Sequence, residues 1–348
     1  MKKINLITLS VIIILVIFVG CTQDIVVEKD NLFSEGLVAV SDLGDINYMN
    51  PGGEVVIKTD YANAFNFSEG LALVQKNDKW GYIDTEGKGV IEPKYENAKS
   101  FSENLAAIKI DEKWGFIDKE GKIVIEPKFD STFSFKDNIT AIQIEDKWGY
   151  INSDGEKFID EKYNRAFIFS EGLALVQKND KWGYIDKTGK EVIELKYDNA
   201  KSFSEELAAV EVDGKWGFID KDGNEIINPN YSNAGSFSEA LAAVEIDGKW
   251  GYINKNGDIE IESKYSDANI FSEGLAAVSN EKDKVGYINK QGEIVIDYKF
   301  DKGFGLTGSI GNLYFKEDGY DVVIKDKQFG VINKKGEYIL EPKYDLIR

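Results

Sequence analysis

Histidine is absent from the sequence, and cysteine occurs once, at Cys21. Without histidine there is no His-based triad, no imidazole metal ligand and no side chain whose ordinary pKa suits it to general-base work near neutrality. A single thiol excludes an internal disulfide. Arginine is almost missing too, being confined to Arg165 and Arg348. Phosphate and base recognition lean on the planar guanidinium fork, and the formal net charge of −19 repels polyanions. No nucleic-acid partner is therefore expected. The hydrophobic fraction of 43% is that of a folded protein, not a disordered one.

What the chain has instead is repetition. Trp falls at 80, 114, 148, 182, 216 and 250, each step is 34 residues, and Gly follows every Trp. Weaker copies lie at Ile46-Asn47-Tyr48, Val285-Gly286-Tyr287 and Phe329-Gly330-Val331, making nine units. Periods of this length signal arrays in which each unit buries its face only against its neighbours. The units are rich in Trp, Tyr, Val and Ile and punctuated by Gly at turn spacing, which predicts strands. In one unit Leu207 to Val210 reads as a central strand, Asp213-Gly214 as a hairpin turn, Trp216 to Asp220 as a second strand and Glu225 to Ile227 as the start of a third. Each unit is thus expected to be a three-stranded antiparallel meander.

Gly recurs in the second turn of all nine units, at 53, 87, 121, 155, 189, 223, 257, 292 and 336, while the residue before it varies. That pattern predicts positive φ in the turn. Pro93, Pro127, Pro229 and Pro342 share one site late in the third strand and predict a sheet edge there, since proline donates no hydrogen bond. The connection to the next unit runs Asn-Ala-x-x-Phe-Ser-Glu-Gly-Leu, and its Phe, from Phe67 to Phe271, is expected to plug the interface between units. Phe67 to Asp84 and Phe169 to Asp186 are identical over eighteen residues, so a block of three units was duplicated whole.

These units, K-W-G-[YF]-I-[DN]-x-x-G followed by I-x-P-K-[YF] and F-S-E-G-L, resemble the WG-repeat family of bacterial proteins over residues 31–348. The resemblance implies an all-β repeat module used on surface-associated and other bacterial proteins. It brings no catalytic residue set. The expected fold is an all-β tandem array of about nine 34-residue meanders, extended or superhelical, with a closed β-propeller as the alternative.

Met1-Lys2-Lys3, the apolar run from Leu6 to Gly20, and Phe18-Val19-Gly20-Cys21 read as a lipoprotein signal peptide over residues 1–20, cut before a lipidated Cys21. Residues 21–30 would then form a tether, and residues 31–348 the repeat array with atypical terminal repeats. The expected location is the outer face of the bacterial cell membrane, reached by export and a lipid on Cys21.

No catalytic, cofactor or metal site is expected. Asp after the motif Ile, as at Asp84 and Asp220, becomes Asn at 152 and 254, which suits a turn cap better than an acid catalyst. Turns such as Asp220 to Asn224 begin like a calcium loop but lack the remaining ligands. Trp80, Trp114, Trp148, Trp182, Trp216 and Trp250 are repeat-core residues that could also offer an interaction surface, to a protein or to a glycan. The function read from the sequence is a lipid-anchored envelope protein that binds or scaffolds a protein or peptide. A glycan-binding surface or a passive spacer are the alternatives, and an enzyme is not expected.

Overall fold

A computed structural model describes residues 31–42, 44–302 and 313–348. Among them there is no helix: the chain forms nine β-sheets, eight of four strands and one of three. Numbered from the N-terminus, blade six shows the plan. A two-residue inner strand, Asn199–Ala200, pairs with the second strand Ala208–Val212, which pairs with the third strand Lys215–Ile219, which pairs with the outer strand Glu225–Tyr231, all antiparallel. The connection between meanders therefore contributes a strand of its own, and 34 residues suffice for a four-stranded blade.

The second and third strands behave as their patterns require. Ala208, Ala209 and Val210 are buried on both faces. Trp216 and Phe218 pack toward blade seven while Ile219 packs toward blade five. The Gly between Trp and Phe or Tyr lies against a bulge in the outer strand. A Cβ on Gly217 would stand 2.4 Å from the Ile227 carbonyl oxygen and 2.7 Å from Pro229 N, so the pair Trp-Gly is a packing requirement. The turn glycines sit at φ between 76° and 87° in all nine units. Outer strands lie at sheet edges, as their prolines predicted.

Nine clusters of buried apolar residues each join two successive sheets. An open row of nine sheets has eight such joints. The ninth cluster brings Leu32, Phe33, Val38 and Val40 of blade one against Val331, Leu340 and Tyr344 of blade nine. The strand Leu346–Ile347 completes the seal by pairing with Val38–Asp42 as the inner strand of blade one. Of the two arrangements expected, the chain adopts the closed one, a nine-bladed β-propeller. An extended ribbon would leave the apolar faces of its first and last sheets exposed, and closure buries both.

The segment Phe-Ser-Glu is a joint. Phe101 stacks on Tyr82 of the preceding blade at 4.8 Å between centroids. Ser68 Oγ donates to the Phe101 carbonyl, and the Glu69 carboxylate accepts from Glu103 N and Asn104 N. Equivalent serine bonds link seven pairs of blades, from Ser34 to Ser272.

Candidate functional site

The tryptophans lie mostly inside the joints. Trp80, Trp148, Trp182 and Trp216 are buried, and Trp114 and Trp250 are half-buried. Cys21 lies outside the described residues. The motif Asp and Asn cap turns: Asp220 Oδ1 accepts from Asp222 N and Asn224 N while Oδ2 accepts from Asn224 Nδ2, so donors already occupy this carboxylate. Asn152 does the same with Asp154 N and Glu156 N. A surface cleft of about 470 Å³ between blades eight and nine is lined by Asp301, Lys302, Ile324, Asp326 and Lys327. Its Asp301 is held by Lys284 and by Asp326 N.

Where repetition fails is more informative. The first x of Asn-Ala-x-x-Phe follows the two-residue inner strand and lies at the inner edge of each blade. From blade one to blade eight this position is Arg348, Phe65, Lys99, Phe133, Phe167, Lys201, Gly235 and Asn269. Its side chains reach from blade to blade around the axis. The Arg348 guanidinium lies 4.2 Å from the Phe65 centroid, Lys99 Nζ is 5.7 Å from Phe133, and Phe133 and Phe167 are 6.5 Å apart. Contact between equivalent side chains of successive blades identifies this edge as the wall of the central channel. Behind the wall stand the tryptophans. Phe65 lies 5.8 Å from Trp80, Phe133 is 5.3 Å from Trp148, and Phe167 is 5.8 Å from Trp182. Lys99 and Lys201 lie over Trp114 and Trp216.

The backbone of this arc is pinned from behind. Motif tyrosines donate across four of its joints, Tyr48 to the Phe65 carbonyl, Tyr82 to that of Lys99, Tyr150 to Phe167 and Tyr184 to Lys201, at 2.6–2.8 Å. Burial pushes the hydroxyls of Tyr48, Tyr82 and Tyr150 well above the ordinary tyrosine pKa, and they stay protonated donors. In contrast to that fixed support, the side chains in front are half-buried, with Phe65 37% exposed.

Charge on the inner edge runs against that of the molecule. The inner-strand positions of blades one to eight carry Arg348, Lys99, Arg165 and Lys201 against one acid, Asp267, which pairs with Lys302 at 3.2 Å. Both arginines of the chain are here. Burial lowers the Lys99 ammonium from the usual lysine value, and among the described residues no carboxylate pairs with it or with Arg348. Such an edge can hold anionic groups beside flat apolar ones. Residues at this edge escaped the sequence reading because they are the variable letters of a regular motif. Their irregularity was itself the available signal.

A second irregular surface is apolar. Val56, Val90, Val124, Phe158, Val192, Ile226 and Val295 are exposed at one recurring position of the outer strands, forming a belt around the rim.

No curated protein matches the sequence. Among solved structures, the dihydro-heme d1 dehydrogenase NirN is similar over 89% of this chain and 73% of its own, at 13% identity and a TM-score of 0.49. The computationally designed Ika8 protein is similar over 74% of this chain and 94% of its own, at 15% identity and 0.46. BamB from Moraxella catarrhalis is similar over 86% and 89%, at 12% identity and 0.40. These likenesses are distant and assign no chemistry to the chain. The pattern of the WG containing repeat matches residues 48–80, 80–114, 114–148, 148–182, 182–216, 216–250, 250–282, 286–308 and 329–348. Matched in nine places from the first blade to the closing strand, this protein belongs to the WG-repeat family.

Proposed function

We propose that this protein is a lipid-anchored module of the bacterial cell envelope that binds or scaffolds a protein or peptide, and that it is not an enzyme. In this reading residues 1–20 are a leader, Cys21 bears the lipid, residues 21–30 are a tether, and the propeller is held at the outer face of the membrane. The observation that carries the binding role is the contrast between joints that reuse the same packing and hydrogen bonds, the serine bond at seven of them, and a position on the channel wall that changes from blade to blade. A rigid ring whose joints repeat but whose inner edge does not is built to present different side chains on a common frame. A role as a passive spacer would leave that edge as regular as the joints.

Crosslinking in living cells, followed by mass spectrometry, tests the proposal. The lipidated full-length protein is compared with Cys21→Ala, which cannot be anchored. One envelope protein enriched with the anchored form is the expected result. Equal recovery of every protein from both forms would overturn it.

A further inference from the structure

We propose that the channel arc of blades one to six, formed by Arg348, Phe65, Lys99, Phe133, Phe167 and Lys201, binds an acidic peptide segment whose carboxylates alternate with aromatic or aliphatic side chains. The inference rests on the peptide-binding reading above and adds the place and the chemistry.

Order around the ring is the first support. Cation, ring, cation, ring, ring, cation follow one another in successive blades, and beyond them come Gly235 and Asn269. A uniform polyanion, with a charge at every step, would set charges against the faces of Phe65, Phe133 and Phe167. A segment mixing acids with apolar side chains matches both kinds of wall. Charge is the second support. In a chain of net charge −19, the inner strands gather Lys99, Arg165, Lys201 and Arg348. Lys99 and Arg348 are held over aromatic rings without a carboxylate partner among the described residues. A half-buried ammonium left in that state gains more from an incoming carboxylate than a fully solvated one does, because less water is displaced on binding. Preorganisation is the third. Tyrosine hydroxyls fix the backbone at Phe65, Lys99, Phe167 and Lys201, so little of the binding energy goes into ordering the wall.

The test is fluorescence anisotropy of the full chain with a fluorescein-labelled peptide of sequence Glu-Ser-Phe-Ser-Glu-Ser-Phe-Ser-Phe-Ser-Glu, in which every second residue faces the wall at about the spacing of successive blades, at low and moderate salt. Saturable binding that weakens with salt is expected. Lys99→Gln with Lys201→Gln should weaken it by about tenfold or more, while Lys119→Gln, on the rim, should leave it unchanged. Thermal unfolding confirms that each variant is folded, and Phe133→Ala gives an independent loss should the lysine variants fail to fold. Failure of the peptide to bind would overturn the proposal, as would equal binding by the double lysine variant. Equal binding of polyglutamate or of oligothymidylate, with the same sensitivity to the lysines, would make the arc a general anion site and overturn the peptide assignment. If crosslinking in cells enriches an envelope partner whose contacts fall only on the rim, the binding role stands and its placement in the channel falls.

Discussion

At five joints a motif tyrosine donates its hydroxyl to a carbonyl on the next blade's inner edge, and the residue facing that hydroxyl is Ala or another small apolar side chain. Blade three has Phe116 in place of the tyrosine, which leaves the Phe133 carbonyl without that donor. Thr140, at the position held by Ala106 and Ala174 in other blades, supplies it: its Oγ1 lies 3.0 Å from the Phe133 oxygen. One hydroxyl has moved across the joint. Thr140→Ala should therefore cost about 1 kcal/mol, the net worth of one hydrogen bond, since the Thr132 hydroxyl at 3.2 Å remains as a second donor to the same carbonyl. Adding Phe116→Tyr to that variant should recover most of the loss, because it restores the arrangement of the other joints. Urea denaturation of both variants measures this, and a double variant no more stable than Thr140→Ala alone would refute the exchange. A simpler effect is expected at Ala240, which sits at φ 71° where four other units have Gly. Ala240→Gly should raise stability by about 1 kcal/mol by removing left-handed strain from a side chain with a Cβ, read as an increase in Tm.

Among the strands, the one spanning Leu346–Ile347 has a role unlike any other. It supplies the inner edge of blade one, with Asp345 N donating to Ser41 O and Arg348 N to Ala39 O, and it buries Ile347 in the joint between first and last blades. Ending the chain after Asp345 should cost about 3 kcal/mol or more, from one buried aliphatic side chain and the ladder bonds around it. Hydrogen exchange would locate the effect, with Val38–Asp42 losing protection while blades four to six keep theirs. Uniform loss across the ring would instead mean that closure holds up every blade at once. The same strand marks the limit of what the sequence made legible. Three strands per unit, the positive-φ glycines, the proline edge and the Phe plug could all be read, because each follows from periodicity or backbone geometry repeated nine times. The inner strand could not, since two residues such as Asn199–Ala200 are too few to display alternation. Closure depends on that strand, as does the channel, so Phe65, Lys99, Phe133, Phe167, Lys201 and Arg348 remained letters in a connection. Tyr344 to Arg348 does align with Tyr95 to Lys99, and that offset was the visible trace of a strand shared between the ends.

For the molecule as a whole, stability against pH is a sum over groups that pull in opposite directions. On the surface, lysine partners hold several aspartates below the usual carboxylate range: Lys76 beside Asp60, Lys113 beside Asp130, Lys181 beside Asp198 and Lys284 beside Asp301. Their contribution is present above the unfolded pKa and is lost as pH falls through their folded values, below about pH 4. Asp321 does the reverse. It takes the place of the joint alanine in blade nine, is 2% exposed and accepts from the Tyr287 hydroxyl at 2.7 Å, and burial pushes its pKa up to about 7. The folded state thus binds a proton on Asp321 that the unfolded chain releases near pH 4. Between these values folding takes up a proton, so stability falls as pH rises from 4 to 7 and levels off above. A shift of this size corresponds to about 2–4 kcal/mol across the window. Asp321→Asn carries no titrating proton and can still accept from Tyr287. Its stability, measured by urea denaturation from pH 5 to pH 8, should be flat where the parent declines, whatever constant offset the amide introduces. Parallel curves for the two proteins would show that Asp321 titrates normally and that the joint between blades eight and nine admits water. Below pH 4 both should lose stability together, because the surface pairs are common to them.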